Sequence, residues 1–138
     1  MDLLTTIKEE WKKHSIAEDK RELEALLETM TEDCVYELMP TGEIWRGKDQ
    51  VRNFYNSLWA AFPDAKFQLT NLVVGPQGVA EEAWLMATHR GPWMNIPATH
   101  KPVKFMLVIF FPWANGKFSG ERVYFDRQTV LEQLGITT

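Results

Sequence analysis

The order and punctuation of the elements in this chain predict an α+β fold: a curved antiparallel sheet covered on one face by three helices, with a short helix at the C-terminus. Three observations carry that expectation. The clearest helical stripe lies in the N-terminal half, at Val51, Phe54, Tyr55, Leu58, Trp59 and Phe62. Strand-like runs then follow one another from residue 65 to 126 without a helix between them. An Asn115-Gly116 pair joins the last two runs as a hairpin turn, and consecutive hairpins build antiparallel sheets.

Taken in order, residues 2–17 read as a helix. Asp2 is placed to cap it, and Leu4, Ile7 and Trp11 recur at helical spacing. Asp19 with Glu22 three residues on resembles a capping box for a second helix, whose stripe is Leu23, Leu26, Leu27 and Met30. Cys34–Leu38 reads as a short strand broken by Pro40 and Gly42. Gly47 precedes the third helix and Pro63 ends it. Strands are expected near 65–74, 79–89, 102–113 and 117–126, separated by Gly75, Gly91-Pro92 and Asn115-Gly116. A last helix over about 127–134 stops at Gly135. Helices covering one face of a curved sheet leave a cone-shaped hollow in which a ligand can sit.

The bulk numbers narrow the function. A chain of 138 residues fits one domain, 1–138, and needs no disulfide or metal staple. Its formal charge of −4 argues against a nucleic-acid partner, because phosphate binding requires a basic surface. The single cysteine, Cys34, reads as a small buried apolar residue and fits a reducing cytoplasm. The longest apolar run, Phe105–Trp113, is half the ~20 residues a membrane span needs, so no membrane role is expected. The N-terminus has no basic region followed by an apolar stretch, so no signal peptide is read there. With 6 Trp, 8 Phe and 3 Tyr, the chain has rings enough to fill a core and line an apolar ligand site.

Candidate chemistry clusters late in the chain. In a regular last strand Arg122, Tyr124 and Asp126 share one face and Glu121 the other, and a bulge would exchange the faces midway. Asp126 reads either as the N-cap of the final helix or as a general base in the hollow. Arg122 reads as a surface residue or as an oxyanion stabiliser. His89, at a strand end, reads as a structural hydrogen-bonding group or a proton carrier, and His100 as a solvated loop residue; His14 reads as a surface residue. No ligand spacing for a metal, no phosphate-binding glycine loop and no nucleophile elbow is present.

Several stretches resemble one family. They are Thr88-His89-Arg90-Gly91-Pro92-Trp93, Ile96-Pro97-Ala98-Thr99-His100-Lys101-Pro102-Val103, Glu121-Arg122-Val123-Tyr124-Phe125-Asp126 and the tail Leu131-Glu132-Gln133-Leu134-Gly135, with Trp45-Arg46-Gly47-Lys48-Asp49 and Ala61-Phe62-Pro63-Asp64 upstream. Over about residues 20–135 the chain resembles the SnoaL-like polyketide cyclases of the nuclear transport factor 2-like superfamily. The resemblance implies a cone-shaped α+β barrel, a homodimer formed through the sheet, and acid–base chemistry without a cofactor. It further implies Asp126 as the general acid/base and His89 in the pocket; His100 departs from the family, which usually has glycine there and where a side chain could reach the pocket mouth.

Together these readings give a small-molecule pocket protein, of the cyclase or ketosteroid isomerase kind, acting on an apolar carbonyl compound. Asp126, His89 and Arg122 are the expected catalytic residues. Tyr36, Trp45, Tyr55, Trp59, Trp84, Met86, His100 and Tyr124 are the expected lining. Two alternatives stay open: a limonene-type epoxide hydrolase, which needs an Asp-Arg-Asp arrangement, and a non-catalytic ligand-binding or dimerisation module.

Overall fold

A computed structural model describes residues 1–136. The first helix, α1 (Leu3–Lys20), begins where Asp2 accepts the backbone N–H of Thr5 at 2.8 Å. It runs past the expected end at residue 17, because Glu18, Asp19 and Lys20 contain no breaker; it stops where Arg21 turns left-handed at φ 55°. Asp19 therefore lies inside α1 and starts nothing. The second helix, α2 (Leu23–Leu27), is one short turn with no side-chain cap, and Met30 belongs to the strand that follows.

That strand is β1 (Met30–Leu38), and it pairs with a short β2 (Glu43–Arg46) that the sequence did not reveal. β2 has four residues and no buried face, too little for a period-2 pattern to register. Helix α3 (Gly47–Ala61) follows, then β3 (Lys66–Gly75), β4 (Gly78–Thr88), β5 (Pro102–Ala114) and β6 (Lys117–Phe125), and finally α4 (Arg127–Gln133). Asn115 and Gly116 both have positive φ, as the expected two-residue turn requires.

The six strands form one sheet in the order β2-β1-β6-β5-β4-β3. All neighbours run antiparallel except β1 and β6, which are parallel. β6 returns to the middle of the sheet beside β1, so the sheet is not a simple meander. Register shifts interrupt the β3–β4, β5–β6 and β1–β6 ladders, and such bulges deepen curvature. The concave face carries Leu85, Phe105, Leu107, Ile109, Phe111 and Val123, all buried. Helix α3 packs over β1 and β2, and α1 over β3 and β4. The convex face is uncovered in the single chain, leaving Val73, Val108 and Tyr124 exposed.

One bulge decides the site. Phe118 and Glu121 are both buried, three residues apart in a strand, which strict alternation forbids. Gly120 resolves the conflict at φ 142°, where a Cβ would stand 1.8 Å from the Val35 carbonyl oxygen. Only glycine lets the backbone pass so close, and the kink turns Glu121 inward.

Candidate active site

Between helices and sheet lies a narrow inner hollow of about 40 Å³, walled mainly by Leu38, Phe54, Leu58, Leu85, Phe105 and Ile109. At ~10–15 Å³ per water it has room for about three waters or one small group. It shares Leu38, Phe54, Leu58 and Trp93 with an outer hollow of about 290 Å³ that also carries Glu43, Trp45 and Ser57. The two hollows thus adjoin at these four side chains.

The polar groups of the inner hollow are Glu18, Tyr55 and Glu121. They belong to a buried cluster built by α1, α3, β1 and β6. His14 lies on the stripe Ile7, Trp11, His14, Glu18, spaced four, three and four residues apart, which is one face of α1. Its Nδ1 lies 3.0 Å from the Thr29 hydroxyl. Thr29 donates its own proton to the Leu26 carbonyl at 2.6 Å, so Nδ1–H must donate to Thr29. Nε2 then faces Glu121 Oε2 at 3.0 Å and Glu18 Oε1 at 3.5 Å. These are charge contacts without the alignment of a full hydrogen bond. Tyr55 donates its hydroxyl proton to Glu121 Oε2 at 3.0 Å, which leaves Tyr36 to donate to Tyr55 at 2.6 Å. The cluster reads Tyr36 to Tyr55 to Glu121, with His14 on the other side.

Burial sets the protonation. It opposes charge on His14, but the contacts to Glu121 and Glu18 outweigh it and hold the imidazole up to about 10. His14 is therefore a cation at neutral pH, ion-paired with Glu121. Burial raises the Glu18 carboxyl above its ordinary value against the pull of His14. Burial likewise lifts Glu81, whose Oε1 accepts the Trp11 indole N–H at 3.1 Å, to about 7, helped by the charges of Glu18 and Glu121. The Tyr36 and Tyr55 hydroxyls are pushed well up by burial and by Glu121, so both stay protonated donors. The set can hold a proton, give one and receive one in a dry site.

The model of the SnoaL-like polyketide cyclases matches residues 5–134. The chain belongs to this SnoaL-like family. Solved structures share its fold. A SnoaL-like polyketide cyclase candidate from Jannaschia sp. CCS1 superposes with a TM-score of 0.89 at 20% identity, over 100% of this chain and 97% of the other. A polyketide cyclase candidate from Xanthomonas campestris pv. campestris gives 0.80 at 16% identity, over 96% and 99%. A protein of ketosteroid isomerase-like fold from Catenulispora acidiphila gives 0.76 at 16% identity, over 94% of each chain. Curated proteins gave no match.

In this SnoaL-like chain several expected site residues lie elsewhere. Asp126 is exposed and caps α4, accepting from Gln128 N–H at 3.0 Å and from the Thr129 hydroxyl at 2.9 Å. The placement in the hollow that a base requires is absent, because the bulge at Gly120 hands the inward position to Glu121. Arg122 lies on the convex face with its guanidinium 4.9 Å from the Phe110 ring, and Tyr124 beside it is exposed. Trp84 and Met86 also point to the convex face, since Ala83, Leu85 and Ala87 take the buried positions of β4. Trp84 carries Lys104 over its ring at 5.0 Å instead of a ligand. His100 is exposed, at φ 59°, and lines neither hollow; its left-handed backbone explains why glycine is at home there. His89 is buried and lines neither hollow: its Nδ1 accepts Thr99 N–H at 3.2 Å and the ring packs on Phe62, and burial lowers its pKa. Trp59 packs on Tyr55 at 5.4 Å and lines a third hollow beside Arg21, which shares Glu18 and Phe67 with the inner one.

Tyr55 lines the inner hollow and Trp45 the outer one, and Tyr36 is buried one hydrogen bond behind Tyr55. His14, expected at the surface, is at the centre, 1% exposed. Its signal was present, since it continues the Ile7–Trp11 stripe. Among the described residues no cluster of three or more His, Cys, Asp or Glu is arranged to hold a metal ion.

Proposed function

We propose that this chain is an acid–base catalyst that works without a cofactor and shifts a proton on an apolar carbonyl compound, as a cyclase or isomerase does. The observation that supports it is the Glu121 carboxylate. It lines the inner hollow, its side chain is 4% exposed, and it is held between the His14 imidazolium and the Tyr55 hydroxyl. In this reading Glu121 takes the proton from the carbon beside the carbonyl. Glu18, on the same hollow and kept toward its neutral acid by burial, gives a proton to the carbonyl oxygen. Two carboxyls in unlike environments divide the acid and base roles. His14 holds Glu121 in position and balances its charge. The apolar walls exclude water and favour an apolar substrate.

Arg122 on the convex face and Asp126 at the α4 N-cap favour this reading over an epoxide hydrolase of the limonene type. The test of the acid–base reading is deuterium wash-in. A panel of small apolar ketones is incubated with the protein in D₂O and exchange at the α-carbon is followed by NMR. Exchange above the protein-free rate is expected, falling about 10²-fold or more in Glu121→Gln. Equal exchange by Glu121→Gln would overturn the assignment. The exposed apolar convex face also supports a homodimer through the sheet.

A further inference from the structure

The outer hollow has a composition the acid–base reading does not use. Its aromatic walls are Trp45, Phe54 and Trp93, and its one charged lining residue is Glu43. Trp45 and Glu43 are two apart in β2, so they face the same way, while Arg46 faces the other. Among the described residues, no Lys or Arg lines either hollow, and the inner one adds Glu18 and Glu121. Of the cations nearby in sequence, Lys48 pairs with Glu32 at 3.1 Å and Arg52 with Asp49 at 2.7 Å and Glu24 at 2.9 Å, while Arg46 lies on the opposite side of β2 from Trp45.

The walls are fixed before any ligand arrives. Trp45 meets Phe54 edge to face at 4.8 Å. Trp93 is wedged between Phe62 at 4.9 Å and Phe125 at 5.6 Å, and paired backbone bonds to Ile96 lock its turn. The Thr41 hydroxyl holds Glu43 Oε1 at 3.0 Å. Aromatic faces with a carboxylate at the rim attract an organic ammonium ion, by ring quadrupole and by charge, and repel a carboxylate or phosphate.

We infer that the outer hollow binds an alkylammonium group, so the ligand is an apolar compound carrying a positively charged amine on the side away from its reacting end. The amine rests among Trp45, Trp93 and Glu43 while the uncharged end passes Leu38 and Phe54 to Glu121. The inference adds a substrate class to the acid–base reading and rests on that reading only for the role of the inner end.

The experiment uses three probes with the same ring: benzyltrimethylammonium, 2-phenylethanol and phenylacetate. Each is titrated into the purified full chain by calorimetry and by NMR of the indole N–H signals, assigned with Trp45→Phe and Trp93→Phe. The cation is expected to bind at least fivefold more tightly than the alcohol, to shift the Trp45 and Trp93 signals, and to outcompete phenylacetate. Glu43→Gln, exposed and thus safe for folding, is expected to lower the cation-to-alcohol ratio about fivefold, with undisturbed indole signals elsewhere. Equal affinities for cation and alcohol, shifts confined to Trp84 on the convex face, or an unchanged ratio in Glu43→Gln each overturn the inference. Deuterium wash-in lost in Glu121→Gln alongside failed cation binding would remove the substrate class alone; cation binding without any wash-in would remove the catalytic reading alone.

Discussion

Replacing Glu81 by glutamine should make this protein more stable at neutral pH, although it removes a half-buried charge that accepts a hydrogen bond. Glu81 sits on the concave face of β4 and receives the Trp11 indole N–H at 3.1 Å. Its carboxyl is raised from 4.5 to about 7, first by burial and then by the charges of Glu18 and Glu121. An acid with a raised native pKa binds its proton more tightly folded than unfolded. That contribution is complete below the unfolded value near 4.5 and is lost as pH rises through about 7. At ~1.36 kcal/mol per pKa unit, the loss is about 3 kcal/mol between those limits. Glutamine keeps the oxygen that accepts from Trp11 and has nothing to ionise. His14 titrates in both proteins, so its effect cancels in the difference. Urea unfolding of wild type and Glu81→Gln from pH 4 to pH 8 reads the difference directly. The variant should gain about 3 kcal/mol relative to wild type across that range. A difference that stays constant with pH would mean that Glu81 is solvated, and the whole picture of a dry polar cluster would fall with it.

Other outcomes follow from the same geometry. The His14 ring should titrate near 10 rather than 6.5 by NMR, and the stability it contributes, complete below pH 6.5, should be lost as pH rises through about 10. Gly120→Ala should cost ~3 kcal/mol or more in urea unfolding, since a Cβ at φ 142° meets the Val35 carbonyl and the bulge that aims Glu121 must open. Asp126→Ala should cost ~1 kcal/mol as a lost cap while leaving deuterium wash-in within twofold of wild type; a loss comparable to that of Glu121→Gln would return the base role to Asp126. Light scattering should give twice the 16.0 kDa chain mass, and Val108→Lys on the convex face should shift it toward one chain.

Much of the fold lies on the surface of the sequence because it depends on neighbours along the chain. The stripe of α3, the Asn115-Gly116 turn, the Asp2 cap and the absence of helices between 65 and 126 are local patterns with local physical causes. They determine the α+β class and the helix-over-sheet hollow, and the family motifs agree. Hydrophobic periodicity even marked the face of α1 on which His14 sits, though a polar residue on an apolar stripe is easily read as its edge. What only the tertiary structure decided is which carboxylate faces inward. That depends on Val35, 85 residues away in sequence from Gly120, coming close enough to admit no side chain there. It also depends on the parallel pairing of β1 with β6, which brings Tyr36 and Glu121 side by side. Contacts between distant segments set bulges, burial and protonation, and none of these is a property of a short stretch of chain. The sequence therefore determined that there is a hollow, and long-range packing determined that Glu121, not Asp126, lies within it.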